Sequence, residues 1–169
     1  LSMGLGIGDS IAQPDFVEAA RGFLTQAQNL GVNLMLPVDF VVADRFAPDA
    51  ITATVDQDSI PADQMGLDIG PRTRELYSQI IRDSATIVWN GPMGVFEMPA
   101  FAGGTLAVAR AMADSTGFTV IGGGDSAAAV RTLEVDQSKF DHISTGGGAS
   151  LEFLEGKNLP GLTVLEGSK

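Results

Sequence analysis

Apolar positions recur at helical spacing over residues 15–29, where Phe16, Ala19, Ala20, Phe23, Leu24 and Ala27 share one face. Pro14 near the start and Gly31 just past the end supply the stop signals of a helix. The short apolar run 32–36 reads as a strand broken by Pro37. Segments 40–43 and 51–55 are rich in β-formers and flank Phe46-Ala-Pro-Asp49, so a hairpin is expected there. Residues 59–70, rich in Asp, Gly and Pro, read as a loop. Pro71 suits a first helical position, and that helix is expected to run to Arg82. Strands are then expected at 86–89, 118–121 and 140–143, and helices at 101–113, 125–133 and 147–154. Pro160 is expected to stop regular structure, leaving a tail from 161 to 169. At the other end, residues 1–8, with Gly4, Gly6 and Gly8, read as a loop that closes an earlier element.

The alternation of strand and helix implies an α/β fold with a Rossmann-like parallel sheet and helices on both faces, plus a small β hairpin. Its core strands number about four, few for an open sheet, so the sheet is expected to be incomplete at its N-terminal side. Ligands of such sheets bind beyond the carboxyl ends of the strands. Three glycine-rich turns fall at those ends: Asn90-Gly-Pro-Met-Gly94, Gly122-Gly-Gly-Asp-Ser126 and Gly146-Gly-Gly148. A strand that ends in glycines and enters a helix leaves backbone N–H groups, and the positive end of the helix dipole, facing a ligand. That combination suits phosphate.

The sharpest of the three is Gly122-Gly-Gly-Asp-Ser126. Gly122, Gly123 and Gly124 let a backbone approach a phosphate without Cβ interference. Asp125 would open the helix and can hold a magnesium ion, and Ser126 offers a hydroxyl to a phosphate. A plain helix N-cap after a tight turn accounts for the same letters. Neither the P-loop ending nor the dinucleotide spacing is present. Asn90 can donate to a phosphate oxygen and Glu97 can accept from ribose hydroxyls, though a loop asparagine and a solvated glutamate fit equally. Gly146, Gly147 and Gly148 suit either anion binding or close packing of a helix start. Trp89 is expected in the core with a partner for its indole N–H. His142, on an apolar strand, is expected to be a buried core histidine. Asp39 and Asp44, alternating with apolar residues, are expected to face solvent or cap a turn. No set of metal-ligating side chains and no nucleophile triad is apparent.

Composition narrows the classes. A net charge of −11 argues against nucleic acid or an anionic membrane as partner. It leaves a nucleotide open, because backbone N–H groups, a helix end and a magnesium ion hold phosphates whatever the bulk charge. No apolar run approaches the roughly 20 residues of a membrane span, and the first residues lack a basic, signal-like region. With no cysteine, disulfides and thiolate chemistry are excluded.

Taken together, Trp89-Asn-Gly-Pro-Met-Gly-Val-Phe-Glu97, Ile121-Gly-Gly-Gly-Asp-Ser126 and Ser144-Thr-Gly-Gly-Gly-Ala-Ser-Leu-Glu152 resemble the phosphoglycerate kinase family. So do Leu36-Pro-Val-Asp-Phe40, Gly66-Leu-Asp-Ile-Gly-Pro71 and Leu154-Glu-Gly-Lys-Asn-Leu-Pro-Gly161, in the family's order. The resemblance implies a kinase of two Rossmann-like lobes that moves a phosphoryl group between 1,3-bisphosphoglycerate and ADP, giving 3-phosphoglycerate and ATP. This chain resembles the later part of the nucleotide lobe, with residues 1–155 as a partial nucleotide-binding domain and 156–169 as a tail that packs on the other lobe in the family.

Carried over residue by residue, the resemblance implies that Gly123, Gly124, Asp125 and Ser126 hold nucleotide phosphates, with Asp125 as the Mg2+ ligand. Asn90 reaches the phosphates and Glu97 the ribose hydroxyls, while Gly66, Leu67, Pro92 and Val95 line the adenine and ribose pocket. Gly146, Gly147 and Gly148 present a helix N-terminus to the transferred phosphoryl group. It also implies ATP/ADP with Mg2+, a cytoplasmic and monomeric parent enzyme, and phosphoglycerate bound only through the other lobe. That lobe's basic and histidine residues, its transition-state arginine and the phosphate-binding lysine have no counterpart in these 169 residues. Two outcomes are therefore open for the chain by itself: a kinase portion without turnover, or a non-catalytic nucleotide-binding module or split-protein half.

Overall fold

The computed structural model describes residues 1–144 and 146–166. The chain divides into two units: Leu1–Tyr77 with Met93–Ala107, and Ser78–Pro92 with Val108–Lys169.

The first unit begins with a 3-10 turn, Pro14–Phe16, that feeds helix α1 (Val17–Leu30). Gly31 ends α1 in the left-handed conformation at φ 66°. The Gly31 and Val32 N–H groups donate back to Gln28 and Ala27, the closed pattern of a glycine C-cap. Only Val17, Ala20, Leu24 and Ala27 are half-buried on α1, whereas Phe16 and Phe23 stand 63% exposed. The apolar face read from the sequence is thus only partly used. The expected strand at 32–36 does not form. Alternation supplies the side chains of a strand but not a ladder, and among the described residues no strand pairs with this segment.

Strands β1 (Asp39–Ala43), β2 (Thr52–Asp56) and β3 (Met65–Ile69) make an antiparallel sheet in the order β2-β1-β3. The hairpin between β1 and β2 is the expected one. Asp44 closes it by accepting from the Ile51 N–H at 2.9 Å. β3 lies inside the stretch read as a loop. Gly66 and Asp68 disguise it in the sequence, and its partner β1 is remote in the chain. Val41, Ala43, Leu67 and Phe101 form the core of this unit, with Val95 and Met98 packed on it. Helix α2 (Pro71–Arg82) starts and ends where the sequence places it.

Asp39 corrects an expectation. It is 1% exposed rather than solvent-facing, because β1 is covered at almost every position and alternation does not mark an outer face there. Its carboxylate accepts from the Arg72 N–H at 3.0 Å and the Thr73 N–H at 2.8 Å, and the Thr73 hydroxyl adds a third bond. It therefore satisfies the orphan donors that open α2.

The second unit holds the parallel sheet, β4 (Thr86–Asn90), β5 (Phe118–Gly122) and β6 (His142–Ser144) in that order. It is flanked by helices, with α4 (Gly124–Thr132) against both β5 and β6. Helix α3 (Gly103–Ala113) follows a 3-10 turn at Pro99–Phe101. Helices α5 (Gly147–Leu154) and α6 (Pro160–Glu166) complete the chain. Trp89 is buried as expected, and its Nε1–H donates to the Gly91 carbonyl at 2.6 Å. Two expectations fail here. His142 is exposed, since it opens a three-residue strand at the sheet's edge. Pro160 starts a helix instead of ending structure, the same use of proline at a first helical position that begins α2.

Candidate nucleotide site

The parallel register sets Asn90 beside Gly122 and Gly122 beside Ser144, so the carboxyl ends of β4, β5 and β6 lie abreast. Each end opens into a glycine turn. Gly123 is the N-cap of α4 at φ 93° and ψ 147°, a conformation that side chains rarely adopt. A Cβ there would also lie 2.9 Å from the Asn90 Oδ1. Gly147, the first residue of α5, is pressed on the same turn: its Cβ would lie 2.7 Å from the Gly123 Cα. The second and third turns thus meet backbone to backbone, with the Asn90 amide against both. The first N–H groups of α4 and α5 have no partner within their helices, and they open at these turns.

Asp125 is exposed in the first turn of α4. Ser126 beside it is fully buried, and its Oγ accepts from the Gly91 N–H at 2.7 Å. The Ser126 side chain therefore fixes the first glycine turn and does not face outward with Asp125. Gly91 is held from both sides, its N–H by Ser126 and its carbonyl by Trp89. Asn90, Pro92, Gly122, Gly123, Gly124, Asp125, Ser126, Gly146, Gly147 and Gly148 all belong to this unit. Among the described residues, no three His, Cys, Asp or Glu side chains group as metal ligands. A lone exposed carboxylate at a phosphate-shaped turn does fit Mg2+, which takes one or two carboxylates and completes its shell with substrate phosphates and water.

Gly66, Leu67, Val95 and Glu97 belong to the other unit. Gly66 and Leu67 are on β3, and Val95 is brought beside them by donating its N–H to the Leu67 carbonyl at 3.0 Å. Ser10 accepts from the Gly66 N–H at 2.9 Å. Glu97 is exposed on the same loop.

Two residues without an expected site role organise this region: Thr105 holds the loop, and Asp68 holds the start of α3. Thr105, fully buried on α3, accepts from the Met93 N–H at 3.1 Å and the Gly94 N–H at 3.3 Å. Asp68, 3% exposed, accepts from Arg74 at 2.9 Å, from the Gly104 N–H at 2.7 Å and from its neighbour Ile69 at 2.8 Å. Burial pushes the Asp68 carboxyl above its ordinary value, against the pull of Gly104, Arg74 and Ile69. An Asp between two apolar strand positions, with an Arg six residues on, was the available signal, hidden by reading 59–70 as a loop.

Residues 1–157 match the sequence profile of the family described as Phosphoglycerate kinase. The chain belongs to the phosphoglycerate kinase family. It is 57% identical over 169 residues to the phosphoglycerate kinase of Streptomyces coelicolor, covering 96% of this chain and 42% of that one. The Frankia casuarinae phosphoglycerate kinase is 54% identical over 165 residues, covering 98% and 40%. Among solved structures, the Coxiella burnetii phosphoglycerate kinase superposes with a TM-score of 0.92 at 41% identity, over 97% of this chain and 42% of that one. The Pyrococcus horikoshii OT3 enzyme gives 0.82 at 35% identity, over 98% and 41%. The chain thus spans about 42% of the length of the phosphoglycerate kinases it matches. No helix among the described residues is long and apolar enough to cross a membrane.

Proposed function

We propose that this chain supplies the Mg-ATP/ADP-binding part of a phosphoglycerate kinase, which exchanges a phosphoryl group between 1,3-bisphosphoglycerate and ADP. The observation that carries the reading is the alignment of three strand ends, with the second and third glycine turns meeting backbone to backbone, the first tied to them through Asn90 and Ser126, and Asp125 at the first turn of α4. Gly122, Gly123, Gly124 and Asn90 would take the nucleotide phosphates, and Asp125 would hold a Mg2+ ion that offsets their charge. Ser126 serves by positioning Gly91. Gly146, Gly147 and Gly148 aim the α5 N-terminus at the transferred group. Gly66, Leu67, Pro92, Val95 and Glu97 take adenine and ribose. Phosphoryl transfer is mostly positioning and charge stabilisation, which is what backbone donors and one metal-binding carboxylate supply.

By itself the 169-residue chain is expected to bind nucleotide without turnover, because it lacks the basic residues that would hold the phosphoglycerate in line. Titration of Mg-ADP into the chain tests the reading. Saturable binding is expected, weakened about tenfold or more by Asp125→Ala, the scale of one charge-assisted contact, and also weakened by Glu97→Ala. ATP formation from 1,3-bisphosphoglycerate by the chain alone would refute the inactive reading, and no binding at millimolar nucleotide would refute the site.

A further inference from the structure

Asn90 and Gly91 form the one Asn-Gly pair in the chain; Asn29, Asn33 and Asn158 each precede a leucine. An asparagine before glycine is chemically labile. The glycine nitrogen loses its proton, attacks the asparagine Cγ and forms a five-membered succinimide, while the Cγ–Nδ2 bond breaks and ammonia leaves. Water then opens the ring. Cleavage of the new N–Cγ bond gives aspartate, and cleavage at the α-carbonyl gives isoaspartate. Glycine favours ring closure because it has no Cβ in the way. Asn90 is exposed, so water reaches it.

The same peptide is restrained on every side. The nitrogen that would attack is the one whose N–H donates to the buried Ser126 Oγ at 2.7 Å. The next carbonyl along, that of Gly91, accepts from Trp89 at 2.6 Å. Asn90 is paired in register with Gly122, and its Oδ1 lies against Gly123 and Gly147. To react, the nitrogen must surrender the proton it shares with Ser126, the peptide plane must turn towards Cγ, and the side chain must leave the glycines.

We propose that Asn90 is a latent deamidation site, and that the Ser126 hydroxyl protects it by holding the attacking nitrogen of Gly91. On the nucleotide-binding reading above, the reaction would replace a phosphate-facing amide by a carboxylate. The protection itself does not depend on that reading, and its test uses no nucleotide.

The 169-residue chain, its Ser126→Ala and Ser126→Thr variants and a synthetic peptide of residues 86–97 are aged at mildly alkaline pH, and aspartate and isoaspartate at Asn90 are followed by peptide mass spectrometry. The parent chain should deamidate far more slowly than the peptide. Ser126→Ala should speed the reaction about tenfold, the equilibrium worth of one good hydrogen bond, and Ser126→Thr should remain slow. Circular dichroism before and after ageing reports global unfolding. Equal rates for parent and peptide, for parent and a folded Ser126→Ala, or for the Ala and Thr variants would overturn the proposal. Should Ser126→Ala unfold, amide exchange at Gly91 in the parent decides. Warming below the unfolding transition should raise exchange at Gly91 and deamidation at Asn90 together, and faster exchange with unchanged deamidation overturns it.

Discussion

The Asp68 carboxylate accepts from the Gly104 N–H at 2.7 Å, and a Cβ at Gly104 would collide with the same carboxylate. A buried strand residue thus caps α3 and dictates a glycine at the helix's second position. Asp39 stands in the same relation to α2: it caps the first turn, and a Cβ at Gly70 would run into its carboxylate. Val41 pairs with Asp68 across β1 and β3, and Asp39 is two residues from Val41, so both carboxylates are on one face of the sheet. Each gives up solvation and recovers it from helix N–H groups.

Asp68→Ala is expected to destabilise the fold by about 3 kcal/mol, since it strands the Gly104 N–H and leaves the Arg74 guanidinium without its buried partner. Asp68→Asn should cost less, because an amide oxygen still accepts from Gly104 while the buried charge is gone. Urea unfolding of the two variants beside the parent gives the ranking, and an equal loss for both would contradict it.

The two carboxylates should respond to acid with opposite signs. Burial works to raise Asp39, but the Thr73 hydroxyl, the Thr73 and Arg72 N–H groups and the Arg72 guanidinium outweigh it and hold the carboxyl below 3.8. Its stabilisation is full above that value and is lost as pH falls through the lower folded pKa. Burial leaves Asp68 above 3.8, so its contribution is full below that value and is lost as pH rises through the folded pKa. Stability measured from pH 3 to 7 should show the Asp39→Asn deficit growing with pH and the Asp68→Asn deficit shrinking.

Thr105→Val keeps the shape of a buried side chain but removes the oxygen that serves Met93 and Gly94. A loss of about 1–3 kcal/mol is expected from the stranded donors. Faster amide exchange should appear at Met93 and Gly94, and Thr105→Ser should restore both properties. Exchange that stays slow in the valine variant would show that other contacts hold the loop.

Gly147→Ala brings a Cβ within 2.7 Å of the Gly123 backbone, and Gly123→Ala adds a strained φ of 93° to a clash with Asn90. Strain of this kind costs about 1–3 kcal/mol. Both variants are expected to lose Mg-ADP binding while keeping the circular dichroism of the parent. Gly148→Ala, where a Cβ would meet open space, tests whether the space is left for a ligand: it should weaken binding with no loss of thermal stability.

Local signals were legible where the chain states its own geometry. Pro71 and Arg82 bound α2 as read, and the glycines ending β4, β5 and β6 put the three turns at one edge of a parallel sheet. What remained hidden depends on remote partners. β3 exists because β1 pairs with it, and among the described residues no strand pairs with 32–36. Asp39 looked exposed because alternation assumes one open face, which β1 lacks. In the candidate site, Asp125 was legible as the first-turn acid of α4, whereas Thr105 and Asp68 act through contacts far apart in sequence.

At the seam between Gly123 and Gly147 neither residue supplies a side chain, and the Asn90 amide lies against both. Across an ordinary helix contact, a rotamer change absorbs a small displacement before it reaches the neighbour. Here two main chains bear directly on each other, and neither carries a side chain of its own to absorb it. A displacement of one helix start is therefore passed to the other with little loss, which favours joint movement of the N-termini of α4 and α5.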